Sequence, residues 1–543
     1  FELGGHSLLA IQLIENLRRQ GWELKIKALF SQPVLADVAA SLVAQRQQVV
    51  IAENLIPQTC HYITPDLLPL VTLSQKEIDQ IATQVPGGMS NIQDIYPLAP
   101  LQEGMLFHHM LATQGDPYVS RFIQAFTQQD SLEKFVSALN QVVARHDILR
   151  TAMAWEGLQE PVQVVWRSAE ITIQDVVLAD EEDVALALQR HFAPEFTRMD
   201  LHHAPLIQAY RVEDKANGRW LLCLLIHHLC NDHTTLELMV AEVMAILSGK
   251  EEQLTPSVPF RQFVARTRMA QEDEVHQAYF RRELAHIDEP CAPFGLLEAD
   301  LAQETQQHIE LPDDLAQRIR TLVSEQHISA ASLFHLAWGV VLSHAVGRNE
   351  VVFGTVLFGR MNAGESADKA LGMFLNTLPV RLHLQGQSIA HALKATHQSL
   401  AELLEHERAP LSLAQQCSGL PAKTPLFSSM VNYRYQAAAA EQNDASFASE
   451  VIFSEERTSY PVSMNINDHI GAGFSLDVHV ERSVGAQRVG QMLITALEQL
   501  VADTSAPVES IQVLAQTERE WVLEGFNQTD KAYPTETCIQ QRI

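Results

Sequence analysis

His227-His228 closes an apolar run, Trp220-Leu221-Leu222-Cys223-Leu224-Leu225-Ile226, and Asp232 follows four residues after the second histidine. A run of that composition reads as a buried strand. A strand ending in His-His brings an imidazole to the edge of a core, where a general base is useful. The same pattern suits a buried histidine hydrogen-bonded for structure alone, and in a chain with 23 histidines the motif by itself leaves both readings open. A second pair, His108-His109, stands before Gly115-Asp116. Leu101, Met105 and His108 are spaced i, i+4, i+7, which places His108 on their helix face, with Gly115 as a stop. This pair also suits two histidines on a half-exposed helix. Ser7 follows Gly4-Gly5-His6 at the start of an apolar-periodic stretch. Helix N-termini carry free N–H groups and favour anions, so a phosphodiester on Ser7 would be stabilised there; an ordinary N-cap serine fits equally.

These residues need elements to hold them. Residues 1–46 carry two amphipathic helical stretches, Leu8 to Leu17 and Pro33 to Val43, too small for a core of their own. Residues 47–89 are polar and irregular, with Pro57, Pro65 and Pro69, and read as a linker. Ser74-Gln75-Lys76-Glu77 within it is a capping box that opens one short helix. Helices are expected from Pro97 to Thr113, Ser131 to His146 and Thr234 to Leu247. Strands are expected at Val162–Trp166, Leu206–Val212 and the run ending at His227. A polar, proline-bearing break falls near 250–300. A second mixed region follows, with helices at Leu315–Gln326 and Ala330–Val346 and strands at Glu350–Leu357, Thr377–Leu384, Tyr460–Asn467 and Phe474–Val480. The division is therefore a mixed α/β protein with one lobe over 90–270, another over 271–515 and a tail over 516–543. No repeat at a fixed period links the lobes.

Composition narrows the function classes. The chain has 543 residues, enough for three to four folding units, and a net charge of −28. That charge, with no basic stripe, argues against nucleic-acid or anionic-membrane partners. The six cysteines form no CxxC pair, so no structural zinc site or disulfide framework is expected, and no metal. Cys223 and Cys230 are expected in or beside the core. No apolar run reaches membrane-span length and the first residues lack a signal-peptide pattern, so a cytoplasmic protein is expected. Both ends read as cut from something longer.

The motifs together carry a resemblance. Gly4-Gly5-His6-Ser7-Leu8-Leu9-Ala10 is similar to the signature of peptidyl carrier proteins in nonribosomal peptide synthetases. The rest resembles their condensation domains, with motifs in the family's order. These are Tyr96-Pro97-Leu98-Ala99-Pro100-Leu101-Gln102-Glu103-Gly104, Arg145-His146-Asp147-Ile148-Leu149-Arg150-Thr151, His227 to His233, Gly372-Met373-Phe374-Leu375-Asn376-Thr377, and Phe427 to Tyr433. The tail from Phe526 to Pro534 looks like the linker into an adenylation domain. The resemblance implies two chloramphenicol-acetyltransferase-like lobes in a V-shaped pseudo-dimer, a partial helical-bundle carrier before them, and a tunnel between the lobes entered by a carrier arm from each side. It implies 4′-phosphopantetheine on Ser7, donated by a phosphopantetheinyl transferase. It also implies a monomer with carrier and adenylation domains of the assembly line, and aminoacyl or peptidyl thioesters, as partners. The activity implied is amide-bond formation, with His228 as base, His227 as scaffold, and Asp232 pairing with an arginine, for which Arg360 is the candidate. His108-His109-Met110 with Gly115-Asp116 resembles the mark of dual epimerisation/condensation domains, which invert the donor Cα before joining it. An ordinary condensation domain, a stand-alone epimerisation domain, a docking module and a free coenzyme-A acyltransferase are the alternatives. His233 departs from the family's glycine, which puts that loop's conformation in question if φ > 0 is required.

Overall fold

The computed structural model describes residues 13–14, 16–17, 20–24, 34–44, 51–178, 183–271, 274–300, 302–360, 367, 369–421, 424–436, 449–469, 472–530 and 540. In chain order, the elements that matter for the site begin with α1 (Gln75–Gln84), β1 (Ile92–Pro97), α2 (Pro100–Leu111), β2 (Val119–Phe126) and α3 (Gln129–Arg145). Strands β3 (Thr151–Ala154), β4 (Val162–Trp166), β5 (Ile173–Asp175), β6 (Ile207–Asp214) and β7 (Arg219–His227) lead into helices α4 (His233–Leu247), α5 (Arg261–Gln271) and α6 (Glu274–Leu284). The second half holds β8 (Glu304–Glu310), α7 (Asp313–Gln326), α8 (Ala330–Val346), β9 (Glu350–Leu357), β10 (Asn376–His383), β11 (Ser429–Gln436), β12 (Ser449–Glu455), β13 (Val462–His469), β14 (Phe474–Glu481) and α9 (Ala486–Leu500).

The strands divide into a six-stranded sheet, β8-β14-β13-β11-β9-β10, a five-stranded sheet, β12-β2-β7-β6-β5, and a three-stranded sheet, β1-β4-β3. Each of the two larger sheets has its own core, one built on residues 96–264 and the other on 279–513. These are the two lobes. The boundary between them is not a single cut in the chain. Strand β12 leaves the second half and pairs antiparallel with β2, and Ala367, Ala370, Leu371, Met373 and Phe374 sit in the first lobe's core. Two separate excursions of the second half thus complete the first.

Strand β7 is the spine of the first lobe. Leu221 through Ile226 are all at most 7% exposed, and β7 is hydrogen-bonded on both edges, to β2 and β6. Each such buried aliphatic side chain contributes about 1.5–3 kcal/mol, so its register is strongly fixed. Cys223 and Cys230 are buried with it, and burial pushes both thiols up to about 12.

Two stretches differ from their sequence reading. Residues 56–85, expected as part of a linker, bury Ile56, Ile63, Leu68, Val71, Leu73, Ile78 and Ile81 against the three-stranded sheet. Their apolar residues lie between prolines rather than in a periodic run, so the packing is not visible as a pattern. The capping box of α1 forms as expected: Ser74 accepts from the Glu77 N–H and Glu77 accepts from the Ser74 N–H. The polar break near 250–300 contains α5 and α6, which bury Phe263, Val264, Tyr279, Phe280 and Leu284 on one face and carry the arginines and glutamates that masked the pattern.

Among the described residues no single helix is long and apolar enough to cross a membrane; α7 and α8 pass that test only as a pair bent by 110°. Helix α8 is almost wholly buried, as the central helix of the second lobe.

Candidate active site

The apolar strand β7 ends on His227, and His228-Leu229-Cys230 make one 3₁₀ turn before α4. That turn is braced from every side. The His228 N–H donates to Tyr118 O at 2.9 Å, and the Leu229 N–H donates to His227 Nδ1 at 3.1 Å. Gln102, fully buried on α2, donates to Leu229 O at 2.7 Å, and Asn231 Nδ2 donates to His227 O at 2.9 Å. His228 itself is half-buried. Its Nδ1 lies 3.4 Å from Asn231 O, which can only accept, and its Nε2 lies 3.0 Å from Ser120 Oγ. The neutral ring therefore carries its hydrogen on Nδ1 and keeps a lone pair on Nε2.

Asp232 caps α4, accepting from the Thr235 N–H at 2.7 Å. Its carboxylate also accepts from Arg360 Nη2 at 3.0 and 3.1 Å and from the Phe374 N–H at 3.2 Å. Both charged groups are at most 1% exposed. Arg360 is further tied to Ala367 O at 2.8 Å, Ala370 O at 2.5 Å and Thr235 Oγ1 at 3.2 Å, and lies 4.0 Å over the Phe374 ring. A buried pair is stabilising only when it is well hydrogen-bonded, and here further bonds come from Thr235 on α4 and from Ala367, Ala370 and Phe374. Asp232 faces this knot and not His228. Thr235 and Gly372 close it, with Thr235 Oγ1 donating to Gly372 O at 2.8 Å. The stretch Gly372–Thr377 thus locks the second half of the chain onto the histidine turn.

His233 is the first residue of α4, and the residues in the left-handed region other than glycine are Phe294 and His327 among those described. The position needs no positive φ, so the histidine costs nothing in the backbone. Its ring lies 3.6 Å from Glu237 across one helical turn.

The second histidine pair is turned differently from its sequence reading. The spacing placed His108 on the face of Leu101 and Met105. In the structure Gln102, Met105, Leu106 and His109 form the buried stripe of α2, spaced i, i+3, i+4, i+7, and His108 is exposed. His109 Nδ1 donates to Asp116 Oδ2 at 2.6 Å. His227 Nε2 donates to the same oxygen at 3.2 Å, and the Tyr118 N–H donates to Asp116 Oδ1 at 3.0 Å. Burial alone would push the Asp116 carboxyl up; the hydrogen bonds from His109 and His227 outweigh it and hold the group well below the usual carboxylate range. Burial pulls His227 below its ordinary value, only partly offset by Asp116, so its ring is neutral. Gly115 supplies the turn between the pair and Asp116: its φ is +68°, and a Cβ there would lie 2.7 Å from Pro194 O.

His109, Asp116 and His227 also bring three metal-ligand types within 4.8 Å of one another. His227 Nδ1 already accepts the Leu229 N–H, so the hydrogen of the neutral ring is on Nε2, the nitrogen that faces Asp116. That atom has no lone pair for a cation, and the cluster is a hydrogen-bond network.

Ser7 lies outside the described residues. Tyr118, Ser120, Gln102 and Thr235 were not picked out by sequence reasoning. Their signal was weak: Tyr118 lies in the turn just before β2 and Ser120 is its second residue, and what they face depends on the β2–β7 register, in which Val119 pairs with His227. A narrow cavity between the lobes is lined by Pro100, Leu101 and Phe263 on one side and Gly359, Leu375 and Arg408 on the other; His228 is not among its lining residues.

Residues 92–523 match the family model for the condensation domain. The chain belongs to the condensation-domain family. A phosphopantetheine attachment site is matched ahead of it, over residues 1–42, so this condensation domain follows a carrier segment, the order found in nonribosomal peptide synthetases. The chain is 41% identical to malpibaldin synthetase of Mortierella alpina over 99% of its own length and 10% of that protein's. It is 40% identical to malpinin synthetase of the same organism, over 100% of this chain and 7% of that protein. It therefore spans a tenth or less of the length of these relatives. Among solved structures, the first condensation domain of the calcium-dependent antibiotic synthetase, in complex with a substrate analogue, aligns with a TM-score of 0.63 at 18% identity, covering 78% of this chain and 100% of that one. A holo four-domain nonribosomal peptide synthetase bound to AMP and glycine aligns with a TM-score of 0.64 at 15% identity, covering 79% of this chain and 34% of that one. At these identities the likeness is one of fold, and the two chloramphenicol-acetyltransferase-like lobes of the condensation domain are present.

Proposed function

We propose that this condensation domain joins a donor acyl thioester to the amine of an acceptor aminoacyl thioester, with Nε2 of His228 as the base. The observation that carries the reading is the tautomer and placement of His228: a half-buried imidazole on a turn fixed by four hydrogen bonds, with its basic nitrogen 3.0 Å from the Ser120 hydroxyl. The acceptor amine attacks the donor carbonyl and a C–N bond forms. Nε2 takes the amine proton and returns it to the departing thiolate as the C–S bond breaks. A positioned base of this kind contributes about 10²–10⁴ in rate, and holding two reactants in line contributes more. His227 is scaffold: its neutral ring bridges Leu229 and Asp116. Asp232 and Arg360 fix the turn without touching the reaction. Ser7 is the attachment residue for the phosphopantetheine arm, which when bound supplies a thiol that presents the acyl group as a thioester. The carrier and adenylation domains of one assembly line, and a phosphopantetheinyl transferase, are its partners. Incubation with a soluble donor acyl thioester and an acceptor aminoacyl thioester should yield the amide by mass; hydrolysis of the donor with no amide would reject the reading.

A second activity is favoured by a specific observation. Asp116 joins His109 of one histidine pair to His227 of the other, so the residues that mark dual epimerisation/condensation domains act on the same turn as His228. We infer that the same base also inverts the donor Cα, whose hydrogen a thioester acidifies, before condensation. An L-configured donor thioester incubated in D₂O should gain deuterium at Cα and give a D-configured product. A condensed product that keeps its L configuration without exchange leaves condensation alone.

A further inference from the structure

Ser120 stands on β2 next to the Val119–His227 pair and is 0% exposed. A hydroxyl is costly to bury without a partner. Its Oγ lies 3.0 Å from Nε2 of His228, the one ring nitrogen that carries a lone pair. The opposite nitrogen is held only loosely, 3.4 Å from Asn231 O. The hydroxyl is therefore the shorter of the two bonds that set the ring's orientation, while Asn231 O, which can only accept, sets its tautomer.

We propose that Ser120 is the positioning residue of the base, holding the His228 ring in one orientation through both of its protonation states. In the resting site the Ser120 O–H donates to the Nε2 lone pair. As the acceptor amine enters, the hydroxyl rotates about its Cβ–Oγ bond and turns its hydrogen off the Nε2 lone pair, which then takes the amine proton as the C–N bond forms. The new Nε2–H is shared between Oγ and the thioester sulfur, and passes to that sulfur as the C–S bond breaks. A hydroxyl suits this task because it both donates and accepts, where an amide or carboxylate would favour one state. Ser120 is fully buried and His228 half-exposed, so substrate reaches the imidazole and Ser120 acts from behind it. This rests on the reading of His228 as the base.

The test uses the full chain with soluble donor and acceptor thioesters. Ser120→Ala should lower the single-turnover condensation rate about 10- to 100-fold with substrate affinities unchanged, the size of loss expected for a misaligned reacting group. Ser120→Thr, which keeps the hydroxyl on a side chain suited to a strand, should recover most of that rate. In ¹⁵N-histidine spectra, with the His228 signals assigned by their loss in His228→Ala, wild type should show a protonated Nδ1 and a bare Nε2, and Ser120→Ala a displaced Nε2 signal, its lone pair no longer hydrogen-bonded. A Ser120→Ala rate within twofold of wild type would overturn the proposal, as would a slowed variant whose His228 nitrogen signals are unchanged, or a hydroxyl-bearing Ser120→Thr that folds and recovers nothing. If His228→Ala itself still condenses, the reading of the base fails; if it is inactive while Ser120→Ala is fully active, only the role of Ser120 does.

Discussion

Removing the Asp232 carboxylate should cost this fold more than removing any histidine of the site. In Asp232→Ala, Arg360 stays 1% exposed without its carboxylate, although Ala367 O, Ala370 O and Thr235 Oγ1 still accept from it. Breaking one side of a buried pair typically costs about 3–5 kcal/mol. The lost cap of α4 adds about 1 kcal/mol. The Phe374 N–H loses its acceptor as well. Against a total stability of about 5–15 kcal/mol, that is a large share. At about 2–4 °C per kcal/mol for lobes of this size, the melting temperature should fall by roughly 10–20 °C. Condensation should fall with it, because the turn that carries His228 loses its anchor to the Gly372–Thr377 stretch. Asp232→Asn keeps an oxygen for the cap and should cost less. Pairing Asp232→Ala with Arg360→Met removes the buried charge and should recover part of the loss. The assay is calorimetric and urea unfolding of wild type and these three variants alongside single-turnover condensation. An Asp232→Ala protein that melts within about 3 °C of wild type, or a double variant no better than Asp232→Ala, would refute the claim that this pair holds the two halves together.

Two further outcomes follow, one from a buried titratable group and one from the histidine network. His335, fully enclosed in α8 and bonded to Ala331 O and Thr355 Oγ1, is pulled down by burial to about 4 from the ordinary 6.5. A histidine whose folded value is depressed contributes stability that is complete above about 6.5 and lost as pH falls toward 4, here about 3 kcal/mol. Urea unfolding at pH 7, 5 and 4 should show that loss, and His335→Gln should flatten it; an equally steep pH dependence in the variant would contradict the assignment. Asp116→Asn puts an NH₂ where His109 or His227 must donate, leaving buried donors unpaired at about 1–3 kcal/mol. Deuterium exchange at the donor Cα should fall at least tenfold while condensation falls less, measured on the same thioesters; equal losses would remove the special link between Asp116 and epimerisation.

Much of the framework around the candidate site could be read from residue order because it is carried by local pattern. The apolar run before His227 declares a strand end, and β4, α8 and β9 begin and end where periodicity placed them. What escaped has a common cause: it depends on contacts between distant segments. Residues 56–85 hide their burial because prolines break the period. The helices of 261–284 hide theirs behind charged outer faces. His108 and His109 are adjacent, and a stripe centred on Leu101 or on Gln102 fits the spacing almost equally; only the buried bond from Gln102 to Leu229 O decides for His109 as the inward member. Ser120 carries only a weak signal, since a serine in a strand becomes a partner of His228 only once β2 is set beside β7.

The measurement that bears most directly on His228 as the base is single-turnover condensation by His228→Ala with saturating donor and acceptor thioesters, with melting temperature as the check on folding. The expected result is a loss of about 10²–10⁴ in rate at near-native stability, since His228 is half-buried and its ring bonds only Ser120 Oγ and Asn231 O among the described residues. Amide formation at the wild-type rate by a folded His228→Ala protein would contradict it.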